Sequence, residues 1–175
     1  AAALSLDARL LAELLGQAEL RELLDADVLA TLEQELQWLT DDRRVKDAEG
    51  VADLLRLLGP LTDAELADRG AEPAWAEQLA GARRAIRVRV GGGDHWAAIE
   101  DAGRLRDALG TALPVGVPEA FTEPVKDPLG DLLARYARTH GPFTSAAAAA
   151  RFGLGAAVTD GALHRLAANG RVVQG

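Results

Sequence analysis

Leucines recur at spacings of three and four residues through the first part of the chain, in residues 6–15, 20–24 and 29–39. This spacing is typical of amphipathic helices, with Ser5 and Asp27 as candidate N-terminal caps of the first and third segments. A leucine stripe has to be buried against another surface, because packing supplies most of a helix's stability. The pattern therefore predicts a helical packing or assembly segment over residues 1–45.

A second series of helices is predicted after the charged stretch TDDRRVKDAEG, within a module over residues 46–110. The helix around residues 50–58 stops at Gly59 and Pro60. Thr62 caps the next helix, and Glu65 three residues later completes a capping box. Pro73 suits the first turn of a third helix. Three short helices are thus predicted in close succession.

The hydrophobic period changes from helical to two in AIRVRV, which places Ile86, Val88 and Val90 on one face of a strand. GGGD then predicts a turn, and HWAAIED predicts the returning strand. Three helices followed by a two-stranded hairpin are the order of a winged-helix module, a helix-turn-helix with an added β-ribbon.

The same order begins again after residues 111–127, where clustered prolines predict a stiff, extended connector. In residues 128–175, the helix PLGDLLARYARTH stops at Gly141 and Pro142, and Thr144 or Ser145 caps the next helix. Gly153 makes the turn to a third helix, and RVVQ is predicted as a first wing strand. LGPLT at residues 58–62 and HGPFT at 140–144 occupy the same joint in both units. The fold class predicted is mainly α with small β-hairpins, as tandem winged-helix modules, the second truncated in its wing, preceded by a helical segment.

Composition describes a soluble globular chain, with 49% hydrophobic and 26% charged residues among 175. No uninterrupted apolar stretch is long enough for a membrane span, and the N-terminal residues lack a signal-peptide pattern, so we expect a cytoplasmic protein without a membrane partner. Methionine is absent and the chain begins with Ala1, which favours a piece of a longer polypeptide. The net charge of −8 argues against an extensive nucleic-acid coat, but bases outnumber acids in residues 126–175.

Several kinds of chemistry lack the residues that they need. The chain has no cysteine and three histidines, so no zinc site is predicted. A phosphate-binding loop needs lysine after glycine, and neither Lys46 nor Lys126 follows one. Asp94 and His95 are adjacent on what the pattern predicts to be an exposed hairpin tip. There, solvated turn residues are a simpler interpretation than a catalytic pair. We therefore predict no catalytic residue, metal or cofactor in this chain.

Nucleic-acid contact is predicted at the third helix and wing of each module. The candidate DNA-binding residues are His164, Arg165, Asn169 and Arg171 in the second module, and Arg83, Arg84, Arg87 and Arg89 in the first. An alternative for the first module is that Arg84 or Arg87 pairs with acids of the first segment, while Glu72 and Glu77 repel phosphate. Winged helices also bind proteins or act as spacers, so the fold alone leaves a protein-interaction role open.

Long phrases of the sequence resemble one known family. WAEQLAGARRAIRVRVGGGDHWAAIEDAGRLRDALGTALP, DPLGDLLARYARTHGPFT and RFGLGAAVTDGALHRLAANGRVV are similar to the C-terminal extension of the large helicase-related (Lhr) family of bacterial ATP-dependent DNA helicases. The resemblance implies a row of winged-helix modules downstream of a motor that moves 3′ to 5′ on single-stranded DNA, with ATP and Mg²⁺ bound by that motor. It also implies a link to DNA repair, a likeness to winged-helix glycosylases of the AlkZ type, and self-association.

Three hypotheses of function remain. The first is a non-catalytic fragment that gives the helicase (a hydrolase) DNA contact, architecture and oligomerisation, with single-stranded or tailed duplex DNA and its own helicase core as partners. The second is a part of an AlkZ-like DNA glycosylase unit, which needs a deep acidic pocket between the modules. The third is a purely protein–protein assembly module, in which the leucine stripes form a possible homo-oligomer.

Overall fold

The computed structural model describes residues 25–175, and helix α1 (Ala26–Leu36) comes first in this range. The Asp25 carboxylate caps α1 by accepting a hydrogen bond from the Asp27 N–H at 2.8 Å. The predicted leucine stripe is only partly covered, since Leu29 and Leu36 are half-buried while Leu32 is 46% exposed. The segments predicted over residues 6–15 and 20–24, with the cap at Ser5, lie outside the described residues.

Helices α2 (Ala48–Leu58), α3 (Asp63–Asp68) and α4 (Pro73–Gly81) follow, as the local signals predict. The capping box is present: the Glu65 N–H donates to the Thr62 hydroxyl at 3.1 Å, and the Thr62 N–H donates to the Glu65 carboxylate at 2.9 Å. Gly59, at φ +85°, ends α2 in a backbone region that favours glycine. Pro73 begins α4, where its missing N–H costs nothing.

Strands β1 (Ala85–Val90) and β2 (Gly93–Ala98) pair antiparallel around a two-residue turn at Gly91 and Gly92. Leu61 forms an isolated antiparallel β-bridge with Trp96 of β2, and the two residues exchange N–H···O hydrogen bonds of 2.9 and 2.7 Å. Helix α5 (Ala102–Leu109) continues the chain and ends at Gly110. Residues 111–127 are irregular apart from a 3₁₀ turn (Glu119–Phe121), and Leu113, Val117 and Phe121 pack against the core. The segment predicted as a stiff connector thus packs against a hydrophobic core of the protein through these three side chains.

Helices α6 (Pro128–Thr139), α7 (Ser145–Phe152) and α8 (Ala156–Ala168) form the second helical unit. Of the two candidate caps for α7, Thr144 accepts the hydrogen bond, from the Ala147 N–H at 3.1 Å. The predicted strand RVVQ is wrong, because residues 171–175 form no strand. A strand is held by its ladder, and these residues have no strand beside them in the described part of the chain.

Two hydrophobic clusters share the hairpin between them. Ala85, Trp96 and Ala98 belong to the cluster built on α2, α3 and α4. The opposite hairpin face, which includes Ile86 and Val88, belongs to the cluster built on α5, α6, α7 and α8. Successive strand residues point to opposite faces, so the alternation within six residues places one sheet between two helical units. Across the described range 25–175, no helix is both long and apolar enough to cross a membrane.

Candidate nucleic-acid interface

The predicted DNA-binding residue Arg87 is engaged within its own module. Its guanidinium donates two hydrogen bonds to the Asp63 carboxylate, at 3.1 and 2.6 Å, and lies 4.6 Å from the centre of the Trp96 ring. The Trp96 indole N–H donates to the same carboxylate at 2.8 Å. The hydrogen bond from Arg87 is the main cause that lowers the pKa of Asp63. Arg87 therefore holds the hairpin to the start of α3.

Arg84 forms a similar pair with Glu49 at the start of α2. Two guanidinium nitrogens donate to the two carboxylate oxygens, and this hydrogen bonding lowers the pKa of Glu49 and raises the pKa of Arg84. The prediction that Arg84 or Arg87 pairs with acids is thus met by both residues. Their partners, Glu49 and Asp63, lie in the first module and outside the N-terminal segment in which we expected them.

Arg83 and Arg89 remain exposed at the two ends of β1. Arg83 has a φ of +59° at the end of α4, where its N–H donates to the Ala80 carbonyl at 3.0 Å. Arg89 carries a side chain that is 70% exposed, with a long contact of 3.4 Å to Asp94 and a hydrogen bond of 2.6 Å to the Gly92 carbonyl. Both side chains are open to solvent, but Arg89 would have to release the Gly92 carbonyl as well as its long contact with Asp94 to bind another group.

His95 contradicts the prediction of an exposed Asp94–His95 tip. Its side chain is buried, with 5% exposure, and Nδ1 lies 2.8 Å from the Gly93 carbonyl. The strand register pairs His95 with Val88, on the hairpin face that packs against the second helical unit. Asp94, in contrast, is exposed. The two side chains point to opposite faces and do not form a joint site.

The second module presents its predicted residues at the C-terminal half of α8. His164, Arg165 and Asn169 are exposed, and His164 Nδ1 lies 2.7 Å from the Asp160 carbonyl. Arg165 has no carboxylate within 4.0 Å among residues 25–175, and its guanidinium lies near Gly161. Arg171 is exposed and lies 3.9 Å from Asp131, the upper limit of an ion pair. The structure therefore places His164 and Arg165 in the last turns of α8, with Asn169 and Arg171 following its end, while the four first-module arginines are spread from the end of α4 along β1.

Polar contacts that local sequence patterns do not reveal join the two modules. Arg151 on α7 donates to both carboxylate oxygens of Glu65, at 2.6 and 3.0 Å, and to the Pro60 carbonyl at 2.8 Å. Burial raises the pKa of Glu65, but the hydrogen bonds from Arg151 and from the Thr62 N–H outweigh it, so the pKa is lowered. Arg151 thereby ties α7 to the capping box of α3.

A second tie is buried between α5, α6 and the end of α2. Asp101, 3% exposed, accepts hydrogen bonds from Arg104 at 2.7 Å and Arg135 at 2.8 Å. Arg135 also lies against Gly59, where a Cβ atom would meet its Nη2 at 3.0 Å. The LGPLT joint of the first module is therefore contacted by two arginines of the second, Arg135 at Gly59 and Arg151 at Pro60. For this buried group of charges, the only signal in the sequence was the three-residue spacing between Asp101 and Arg104.

Gln37, just after α1, bridges both modules at a cleft of about 380 Å³. Its carbonyl and side-chain oxygens accept hydrogen bonds from Arg69 at 2.7 and 3.0 Å, and its amide nitrogen donates to the Thr139 carbonyl. His140 lines the same cleft, stacked 3.7 Å from Tyr136. Burial lowers the pKa of His140. Within residues 25–175, no cluster of three or more potential ligands could hold a metal ion.

Comparisons with known proteins agree with this architecture. A family model described as "Large helicase-related protein, winged-helix domain" matches residues 22–124, which include α1 to α5 and the hairpin. A protein of Mycolicibacterium smegmatis named "Lhr helicase/ probable uracil glycosylase" is 57% identical over all of this chain. A protein of Escherichia coli K12 named "Lhr helicase/uracil glycosylase" is 42% identical over 99% of it. The chain spans 12% of the length of each of these relatives.

Proposed function

Because this chain belongs to the large helicase-related family, we propose that it is a non-catalytic winged-helix part of a helicase's C-terminal region that supplies architecture and DNA contact. The proposed architectural role is supported mainly by the hairpin, because its two faces belong to two different hydrophobic clusters. A shared sheet and the pair between Arg151 and Glu65 make the modules one packed body. Such a body can hold a DNA-contacting surface at a fixed distance from a motor.

Support for DNA contact comes mainly from the second module. Arg165 is exposed and without a carboxylate neighbour in the described part of the chain, and Arg171 is held only by a long pair. Exposed cations of this kind release counterions when they meet phosphates. In the first module Arg84 and Arg87 are already neutralised, and the third helix, α4, presents the exposed carboxylate Glu77. The α8 surface therefore fits DNA better than the α4 surface.

A binding experiment across a salt series tests DNA contact. Fluorescence anisotropy with labelled single-stranded, tailed duplex and blunt duplex DNA should give affinities that fall linearly on a log–log salt plot. Replacement of Arg165 and Arg171 by alanine should reduce the slope by about one for each lost phosphate contact. Undetectable binding of the wild-type chain at low salt would refute DNA contact, and an unchanged slope in the double variant would exclude the α8 surface.

The helicase activity itself belongs, in this proposal, to other regions of such a protein. We expect ATP and Mg²⁺ to bind a motor that this chain does not include. ATP hydrolysis assays on the chain alone should show no turnover above a buffer control. Adding the chain to a motor fragment of the same protein would show whether the two interact, by an altered DNA affinity of the mixture.

The names of both relatives include the word glycosylase. The second candidate function is therefore that this chain forms part of a DNA glycosylase unit. A glycosylase needs an acidic residue available in a pocket. Among the described residues that line the cleft, Glu65 is the carboxylate, and its oxygens already accept from Arg151 and from the Thr62 N–H. This favours the non-catalytic role. Release of uracil from a uracil-containing oligonucleotide by this chain would reverse that preference.

Assembly is the remaining candidate, and α1 gives it some support. Val28 is 61% exposed and Leu32 is 46% exposed on that helix. Light scattering over a concentration series measures self-association directly. A monomer at high concentration would count against assembly by this chain, whereas a dimer that Val28→Glu disrupts would favour it.

A further inference from the structure

The sequence contains a single asparagine, Asn169, and a glycine follows it. Spontaneous deamidation is fastest at an Asn–Gly pair, because glycine has no Cβ atom to keep its backbone nitrogen away from the asparagine side chain. The structure places this pair directly after α8, with Asn169 as the C-terminal cap and Gly170 at a φ of +73°. The only Asn–Gly pair of the chain therefore lies between Arg165 and Arg171, which are both exposed.

The surroundings of this pair leave room for the asparagine side chain to approach the next peptide group. Asn169 and Gly170 are both exposed. A Cβ atom built on Gly170 meets no heavy atom of the described residues within 4 Å, apart from its two chain neighbours. The side chain of Asn169 can therefore turn towards the Gly170 nitrogen without displacing another group.

Two backbone hydrogen bonds protect the pair while the end of α8 is closed. The Gly170 N–H donates to the Ala167 carbonyl at 3.1 Å, and the Arg171 N–H donates to the Leu166 carbonyl at 2.9 Å. The first bond engages the nitrogen that would have to attack the asparagine side chain. Helix ends open far more often than helix interiors, so this protection is incomplete.

We propose that Asn169 is a site of spontaneous deamidation, which alters the end of α8. The Gly170 nitrogen forms a bond to the Asn169 Cγ, and the Cγ–Nδ2 bond breaks. The proton of the Gly170 nitrogen leaves with the side-chain nitrogen as ammonia, and a cyclic imide remains. Water then opens the imide at one of its two carbonyls, which gives either aspartate or isoaspartate, and nothing is oxidised or reduced.

Both products place a carboxylate at the C-terminal end of α8, where the helix dipole disfavours a negative charge. Isoaspartate also lengthens the main chain by one methylene group, which moves the Gly170 and Arg171 N–H groups out of register with the carbonyls that they cap. A phosphate that meets Arg165 or Arg171 would be repelled by the new charge, so DNA affinity should fall as the protein ages. This consequence rests on the proposed DNA contact, whereas the reaction itself does not.

Peptide mapping by mass spectrometry tests the reaction in the 175-residue chain after incubation at mildly alkaline pH. Cleavage by trypsin after Arg165 and Arg171 isolates residues 166–171, which should gain about 1 Da as the amide becomes a carboxyl group. Asp160 and Gly161 supply a control, because they could form the same imide but lie inside α8. Their peptide, residues 152–165, should keep a single elution peak. The gain should be faster in urea, and the site is overturned if residues 166–171 react only in urea.

A second measurement follows DNA affinity by anisotropy. Asn169→Asp, which copies one product, should bind about 1.5- to 5-fold more weakly than the fresh chain, the equivalent of one exposed ion pair. Gln78→Glu, which adds the same charge on the exposed side of α4, should have a smaller effect. Asn169→Gln should lose no affinity on incubation, because its longer side chain closes the ring much more slowly.

The outcomes separate this inference from the proposed function. Deamidation of a chain that binds no DNA would support the site, while the proposed DNA contact would fail by itself. DNA binding without deamidation of the folded chain would overturn the site and leave DNA contact standing. If Asn169→Asp and Gln78→Glu weaken binding equally, the inferred effect on the end of α8 is overturned.

Discussion

Replacement of Arg151 by alanine tests whether the two modules are held as one body. The variant removes the hydrogen bonds to both Glu65 oxygens and to the Pro60 carbonyl. The Arg151 and Glu65 side chains are 28% and 29% exposed, so this ion pair is neither fully exposed nor fully buried. An exposed pair is worth about 0.2–1 kcal/mol, and removal of one partner of a buried pair costs about 3–5 kcal/mol. We therefore expect the free energy of unfolding to fall by about 1–3 kcal/mol.

Urea unfolding followed by circular dichroism measures this loss, and Arg56→Ala supplies the matched control. Arg56 pairs with Asp53 at the surface, with side chains 44% and 65% exposed, so its removal should cost less than about 1 kcal/mol. Glu65→Gln keeps a side chain that can close the capping box but removes the charge that Arg151 meets. The double variant should then show a coupling energy of about 0.5–3 kcal/mol. If Arg151→Ala costs no more than Arg56→Ala, the pair does not hold the modules together and the reasoning is refuted.

The same pair predicts a pH dependence with a definite sign. The folded-state pKa of Glu65 is lowered, so the stabilisation is complete above the unfolded value near 4.5 and is lost as the pH falls through the folded pKa. Arg151→Ala should remove part of this acid sensitivity. A stability difference between wild type and Arg151→Ala that stays constant from pH 7 to pH 3 would contradict this assignment.

Two further predictions concern the docked hairpin and the cleft. Gly153→Ala adds a methyl group 2.7 Å from the Gly91 Cα at a φ of +66°, so urea unfolding should show a loss of about 1–3 kcal/mol. Gly161→Ala is the control, because its added methyl group lies within a helix and meets only the end of Arg165 at 3.6 Å. This control should raise the free energy of unfolding by about 0.5–1 kcal/mol. Equal effects of the two variants would argue against close docking of the hairpin. Burial lowers the pKa of His140, so stability should fall as the pH drops below about 6.5 towards the folded pKa, and His140→Gln should flatten urea midpoints measured between pH 7.5 and 5.5. A wild-type midpoint that rises on acidification in this range would reverse the sign and refute the His140 prediction.

Signals with a local physical cause predicted the individual elements well. The capping box of Thr62 and Glu65 involves residues three apart, and the stop at Gly59 depends on one backbone conformation. The alternation of Ile86, Arg87 and Val88 likewise reports the two faces of one strand. Each of these signals lies within a few residues, so a single sequence is sufficient to interpret it.

The burial of His95 could not be predicted in the same way, because it depends on residues far along the chain. A wing is expected to have one solvated face, and His95 next to the turn GGGD fits that expectation. The run HWAA is nevertheless nearly continuous in apolar character beyond His95, which is typical of a strand covered on both faces. That run was the available signal for a sheet between two helical units, and it does not say which helices provide the second cover.

Docking of the hairpin also restricts the ways in which the proposed DNA contact could occur. A winged helix uses its third helix together with a wing that reaches towards DNA. In the first module the wing carries Ile86 and Val88 into the second module's core, so it cannot leave without exposing that core. What the hairpin can still present is its tip, with Arg89 at the joint between modules. If the protein binds DNA, the first module should therefore contribute its hairpin tip and not a free wing, and isolated modules, which lack this docking, should not reproduce the affinity of the joined chain.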